Sequence, residues 1–180
     1  MKTAAEVLHF WFVAHGREQW FGGGPDFDAK ITAEFAETHL AVAAGEAWRW
    51  RVTPEGRLAE IIVLDQFSRQ IYRGEARAFA SDPMALALAQ EAVAGGFDQQ
   101  VALERRMFFY LPYMHSESLV IHEESLRLHQ AMGIKQNTDY ELMHQDVLRR
   151  FGRYPRRNEA LGRTSTSVEA AYCASDEGKW

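Results

Sequence analysis

Nowhere in this chain do apolar and polar residues alternate with period two between hairpin turns. Apolar side chains recur instead at three- and four-residue spacing behind helix start signals. That pattern leaves an all-α fold as the consistent reading, with about eight or nine helices joined by short loops. Thr3-Ala-Ala-Glu6 reads as a capping box, in which the Thr hydroxyl accepts from the third helical amide and the Glu reaches back. It opens a short helix to about Val13 whose residues Val7, Leu8, Phe10, Trp11 and Phe12 are nearly all apolar, so the helix is expected to be buried on most sides.

Further along, Gly22-Gly23-Gly24-Pro25 reads as a loop, and Asp26 as the cap of a helix running to about Ala44. Thr53-Pro54-Glu55-Gly56 reads as a turn before a helix from Leu58 to about Tyr72. Asp82-Pro83 reads as a helix start with Asp at the cap, and Gly95-Gly96 as its end. A helix from Val101 is expected to stop near Leu111 at Pro112, and another to run from Ser116 to Met132 before Gly133. Thr138 to Glu141 and Thr166 to Glu169 read as two further capping boxes, the first opening a helix to about Phe151. With 180 residues and no break in composition, a single domain spanning 1–180 is expected.

Charge is unevenly spread. Residues 149–163 hold six arginines and one acid in a chain of net charge -5, so the remainder carries -10. The overall acidity argues against nucleic acid or an anionic membrane as a partner, because long-range attraction has the wrong sign. Base stacking on Tyr154 is the weaker exception to that expectation. No apolar run approaches membrane-spanning length, and Glu6, His9, His15 and Arg17 interrupt any leader-like segment. The single cysteine, Cys173, excludes an intramolecular disulfide and fits a cytoplasmic protein.

Three segments carry a resemblance. They are Leu64-Asp65-Gln66-Phe67-Ser68-Arg69-Gln70-Ile71-Tyr72-Arg73-Gly74, then Phe109-Tyr110-Leu111-Pro112-Tyr113-Met114-His115-Ser116-Glu117, then Arg149 to Arg163; Val7 to Phe12 fits as well. The chain resembles the DUF924 family of bacterial proteins of unknown function. The resemblance implies a tetratricopeptide-like, superhelical stack of helices and no established activity. It also implies a histidine at the position of Arg156 and a Gln-like residue at that of His122, so this chain departs from the family pattern at both.

Several side chains could carry chemistry. Asp65 shares a helix face with Ile61 and Ile62, and an unpaired buried carboxylate is costly, so a cationic partner is expected. Arg69 is one turn on and Arg73 another, while Arg153, Arg157 and Arg163 are long-range partners. A structural network joining two helices is one reading, and an arginine edge left for an anionic ligand is the other. His115 follows a proline-terminated helix beside Ser116, read as a cap, and Glu117, favoured in a first helical turn. A His next to an acid suits proton transfer near neutral pH. His144 is expected either to join Arg153 and Arg157 in a pocket or to bond a neighbouring carbonyl.

His115, His122 and His129 recur every seven residues, too far apart along a helix to share one ion, so no metal is expected. No cofactor is expected either: Gly22 to Gly24 lacks the Lys-Ser/Thr of a phosphate loop. The expectation is an Arg-rich polar pocket built from Asp65, Arg69, Arg73, His115, Glu117, His144, Arg153, Arg157, Asn158 and Arg163. It would serve a binding module for a small anionic ligand or acidic peptide, or an enzyme on a small phosphorylated or carboxylated compound in which His115 or His144 moves protons with Glu117.

Overall fold

The computed structural model describes residues 1–178, and among them there is no β-strand. Helices α1 (Ala4–His9), α2 (Arg17–Gly22), α3 (Gly24–Ala43), α4 (Pro54–Ile62), α5 (Ser68–Ile71), α6 (Asp82–Ala94), α7 (Leu103–Met114), α8 (Leu119–Met132), α9 (Lys135–Phe151) and α10 (Ser167–Ala174) follow in chain order. A π-helical turn over Val63–Phe67 joins α4 and α5 into one rod, so the ten segments form nine helices among the described residues. That rod is the centre of the fold and packs against α1, α3, α6 and α7. The chain then continues as the neighbouring pairs α6–α7, α7–α8 and α8–α9, while α10 packs against a 3-10 turn at Pro155–Arg157.

The core explains this arrangement. Trp11 is fully buried and stacks on Trp20 at 5.6 Å, and the Trp20 indole N–H donates to the Trp11 carbonyl at 2.7 Å. Phe27, Phe67 and Phe108 lie 5.5–6.2 Å from Trp11 between centroids, and Phe10 and Phe35 pack on these rings and on each other at 4.8–6.1 Å. Each such ring removes enough apolar surface from water to contribute roughly 1.5–3 kcal/mol. This aromatic knot pins α1, α3, the rod and α7 to one another. A second, smaller cluster of Val147, Leu148, Tyr154 and Tyr172 fastens the C-terminal segment to α9.

The Thr3 and Thr166 capping boxes form as expected. Elsewhere the helix starts move. Thr53 is itself the N-cap of α4, its hydroxyl accepting from the Gly56 amide at 3.1 Å, so the expected turn is the first turn of the helix. The glycine loop shrinks to a break at Gly23: α2 fills the segment before it, and α3 begins at Gly24 with Asp26 in its first turn rather than at the cap. Ser81, not Asp82, precedes α6. Thr138 lies inside α9, its amide already bonded to the Ile134 carbonyl at 3.3 Å, because Gly133 turns the chain at φ 77° and the helix restarts at once. Pro112 does not stop α7, since a proline near a helix end costs only one ladder bond; the helix runs on to Met114. His115 therefore caps α7, and Ser118 rather than Ser116 precedes α8.

Candidate functional site

The π turn in the central rod is the local origin of the site. It lies within an unbroken run of buried residues, Leu58 to Ser68, and holds Asp65 and Gln66 side by side inside the protein. The carbonyls displaced from the helical ladder are taken up by side chains one turn on. Ser68 Oγ donates to the Leu64 carbonyl at 2.6 Å, and Arg69 donates to the Asp65 carbonyl.

Asp65 is 1% exposed and receives three donors. Its Oδ1 accepts from His115 Nδ1 at 2.7 Å and lies 3.1 Å from Arg69 Nη1, and its Oδ2 accepts from Gln66 Nε2 at 2.6 Å. Burial alone would push the Asp65 carboxyl up, but Arg69, His115 and Gln66 together hold it below the ordinary carboxylate range. An ionised carboxylate only accepts, so the His115 proton sits on Nδ1 and Nε2 carries the lone pair. Among the described residues Nε2 has no protein hydrogen-bond partner. Burial and then Arg69 hold His115 below its ordinary value against the pull of Asp65, so the ring is neutral at pH 7.

Around this pair a buried charge network closes. Arg69 makes a bidentate pair with Asp82, both contacts at 3.0 Å. Arg157 donates to the His115 carbonyl at 2.8 Å and reaches Asp82 at 3.4 Å. Its guanidinium is stacked between Phe79 and Tyr154, 4.7 and 4.6 Å from the ring centroids. Asp82, read from the sequence as a helix cap, thus joins the two arginines across the fold. Truncating one member of such a buried network costs about 3–5 kcal/mol because the partner charge is stranded.

Two cavities meet at this network. The larger, about 560 Å³, lies between α2, α3, the rod, α7 and α9. Its wall is mostly apolar, including Trp20, Phe27, Leu111 and Met114, with Gln66, Gln70 and Asn137 among its polar members. The smaller, about 370 Å³, is lined by Phe79, Tyr154, Arg156, Arg157 and Tyr172. Arg69, Arg73, His115 and His144 border both. His144 Nδ1 donates to the Tyr140 carbonyl at 2.7 Å, and burial above all pushes the ring down to about 3, leaving it neutral. His144 thus bonds a neighbouring carbonyl; of the two arginines expected beside it in a pocket, Arg157 borders the smaller cavity and Arg153 borders neither.

The other residues singled out from the sequence are placed elsewhere. Glu117 does not face His115; it accepts from the Tyr154 amide at 2.8 Å and from Arg163 at 2.8 and 2.7 Å, tying the Arg-rich segment to the α7–α8 connection. Arg153 pairs with Glu169 at 2.6 and 2.9 Å. Asn158 is buried and donates to Ser165 Oγ at 3.0 Å. Arg153, Asn158, Arg163 and Glu117 border neither cavity. Arg73 pairs with Asp28 at the cavity rim, its side chain 61% exposed. Arg156 donates to the carbonyls of Tyr172, Cys173, Ser175 and Glu177, so it caps the C-terminal end of α10.

The histidines spaced by seven do not converge. His122 Nδ1 faces Glu141 at 2.6 Å, while its Nε2 faces the Ser116 carbonyl at 2.9 Å and the Tyr154 hydroxyl at 3.1 Å. His129 Nδ1 donates to the Ser125 carbonyl at 2.9 Å. Among the described residues no group of three or more His, Cys, Asp or Glu side chains is arranged to hold a metal ion. No helix there is long and apolar enough to cross a membrane.

Sequence reasoning missed Asp82, Phe79 and Gln66 as site residues. Gln66 carried a usable signal, since it adjoins Asp65; Asp82 did not, because a capping role fully accounted for it.

Comparison with known proteins fits this architecture. The family model described as bacterial protein of unknown function (DUF924) matches residues 7–177. A solved structure, described as a protein of unknown function from Agrobacterium tumefaciens, is 37% identical with a TM-score of 0.89, covering 95% of this chain and 96% of its own. No curated protein matches.

Proposed function

We propose that this chain, which belongs to the DUF924 family, is an enzyme that transfers protons to and from a small molecule held in the larger cavity, with His115 as the general base. One observation carries the reading: His115 donates from Nδ1 to the buried Asp65 at 2.7 Å, which leaves its opposite nitrogen basic on a residue that borders the cavity. Asp65 fixes the tautomer and the ring plane. It also stabilises the imidazolium formed when Nε2 takes a proton from the ligand or from a water beside it. Arg69, itself gripped by Asp82, holds Asp65 in turn, so the pair is preorganised rather than assembled on binding.

The expected partner of His115 in this role, Glu117, is occupied by Arg163, and Asp65 takes its place. No serine or cysteine stands next to His115 among its hydrogen-bond partners, so the reading is proton abstraction or activation of water rather than covalent catalysis.

The test is conversion of a mixture of small metabolites, followed by mass spectrometry, with wild type and with folded His115→Gln and Asp65→Asn. The proposal expects a conversion lost in His115→Gln and reduced roughly 10²–10⁴-fold in Asp65→Asn. A conversion undiminished in His115→Gln rules it out.

Capture of a small anionic ligand or an acidic peptide end without chemistry is the second reading. It rests on Arg73, Arg156 and Arg157, which border a cavity whose lining includes no acid. A ligand that raises the melting temperature of wild type and His115→Gln equally, with no conversion, favours it.

A further inference from the structure

The two cavities differ in chemistry and share one wall. The larger is lined by Trp20, Phe27, Met107, Leu111 and Met114, and its one acid, Asp28, is already paired with Arg73. The smaller is bordered by four arginines and no acid. Of these, Arg69 is matched by Asp65 and Asp82, and Arg73 by Asp28. Among the described residues Arg156 has only carbonyl partners, and its buried Nε–H has no acceptor there. Arg157 has a single carboxylate contact, at 3.4 Å, to an Asp82 already engaged by Arg69. Among the described residues, two cations therefore face the smaller cavity with one distant, shared counter-charge between them. Burial and the nearby Arg69 hold Arg157 below its ordinary value, as expected of a guanidinium short of an anion.

We infer that the ligand is a single amphipathic molecule: a carboxylate or phosphate in the smaller cavity beside Arg156 and Arg157, and an apolar ring or short chain in the larger, joined past His115. Stacking between Phe79 and Tyr154 fixes the plane of Arg157 and so orients its donors. The larger cavity, about 560 Å³, lies within the range of small-molecule sites. His115 and His144 stand on the shared wall, which places the bond nearest the joint beside the base. This inference rests on the proton-transfer reading for its chemistry but makes a separate claim about recognition.

The experiment is calorimetric titration of the full chain with 3-phenylpropionate and phenyl phosphate, each compared with its halves: acetate, inorganic phosphate and 3-phenylpropanol. The His115 ring is titrated by NMR in the same samples. The aromatic anions are expected to bind at least roughly tenfold tighter than any half. Arg156→Gln and Arg157→Lys, which loses the planar fork of donors, should each weaken them while leaving 3-phenylpropanol unchanged. Leu111→Trp, which fills the larger cavity, should reduce the aromatic anions to the level of the small ones. Aromatic anions that bind no tighter than their halves at millimolar concentration, or equally well to the arginine variants, overturn the two-part ligand, even if His115 titrates low as the proton-transfer reading requires. Tight, arginine-dependent binding alongside an ordinary His115 titration supports the two-part ligand and sinks the proton-transfer reading alone.

Discussion

His115 Nδ1 and Asp65 Oδ1 lie 2.7 Å apart, joining the C-terminal cap of α7 to the π turn of the central rod across fifty residues of sequence. Neither backbone feature is incidental. Asp65 sits in the continuously buried stretch of the rod, and continuation of α7 past Pro112 delivers His115 to it. Asp65→Asn keeps the shape but removes the charge opposite Arg69, so a loss of about 3–5 kcal/mol is expected in urea unfolding. A loss under about 1 kcal/mol would show that the carboxylate is not the network's anchor.

The paired arginines should divide into strong and weak contributors to stability. Arg69→Leu is expected to cost about 3–5 kcal/mol, because it removes the cation beside the buried Asp65 and breaks the bidentate pair with Asp82. Arg157→Leu should cost less, because Asp82 keeps Arg69. Arg127→Ala, which removes an exposed pair with Glu124, should cost less than about 1 kcal/mol. Thermal unfolding of the three variants side by side checks the ordering, and equal effects would contradict it.

Arg156→Gln frees four carbonyls at the end of α10. Faster amide exchange confined to residues 167–177 is the expected outcome, with the aromatic core around Trp11 unaffected. Uniform loss of protection across the chain would show that α10 is not a separately opening unit.

Acid should weaken the fold before its carboxylates titrate. Burial lowers His39 from 6.5 to about 4 and His144 from 6.5 to about 3, and it lowers His115 as well. A depressed histidine binds its proton in the unfolded chain first, so stability is full above pH 6.5 and falls as the pH drops towards 4 and below. Urea midpoints at pH 7.5 and 5 test this in wild type, and a smaller difference is expected in His144→Gln. A midpoint that does not move contradicts the neutral burial of these rings.

How far the sequence reaches depends on whether a signal is local. The pairing of Asp65 with Arg69 is one helical turn, and it was legible from spacing and the cost of burying a carboxylate. The Thr3 and Thr166 boxes were legible for the same reason. Thr138 carries the same motif yet lies inside α9, because Gly133 had already turned the chain and the helix starts before the motif. Chemistry alone drew attention to His115, but its partner was assigned by proximity in sequence to Glu117, whereas Asp65 reaches it only through the packing of α7 on the rod. Asp82 shows the opposite error, in which a sufficient local role concealed a long-range one. What Arg156 does in place of the family's histidine is not legible from the sequence, because its partners are carbonyls that only the docking of α10 brings to it.

The central claim is a neutral His115 whose only ring proton points at Asp65. The direct measurement is a long-range ¹H–¹⁵N correlation spectrum of the imidazoles at pH 7, with His115 assigned by comparison with His115→Gln. The account predicts a protonated Nδ1 and a bare Nε2 in wild type, with that preference lost in Asp65→Asn. A ring protonated at Nε2, or at both nitrogens, in the wild-type protein at pH 7 would contradict it.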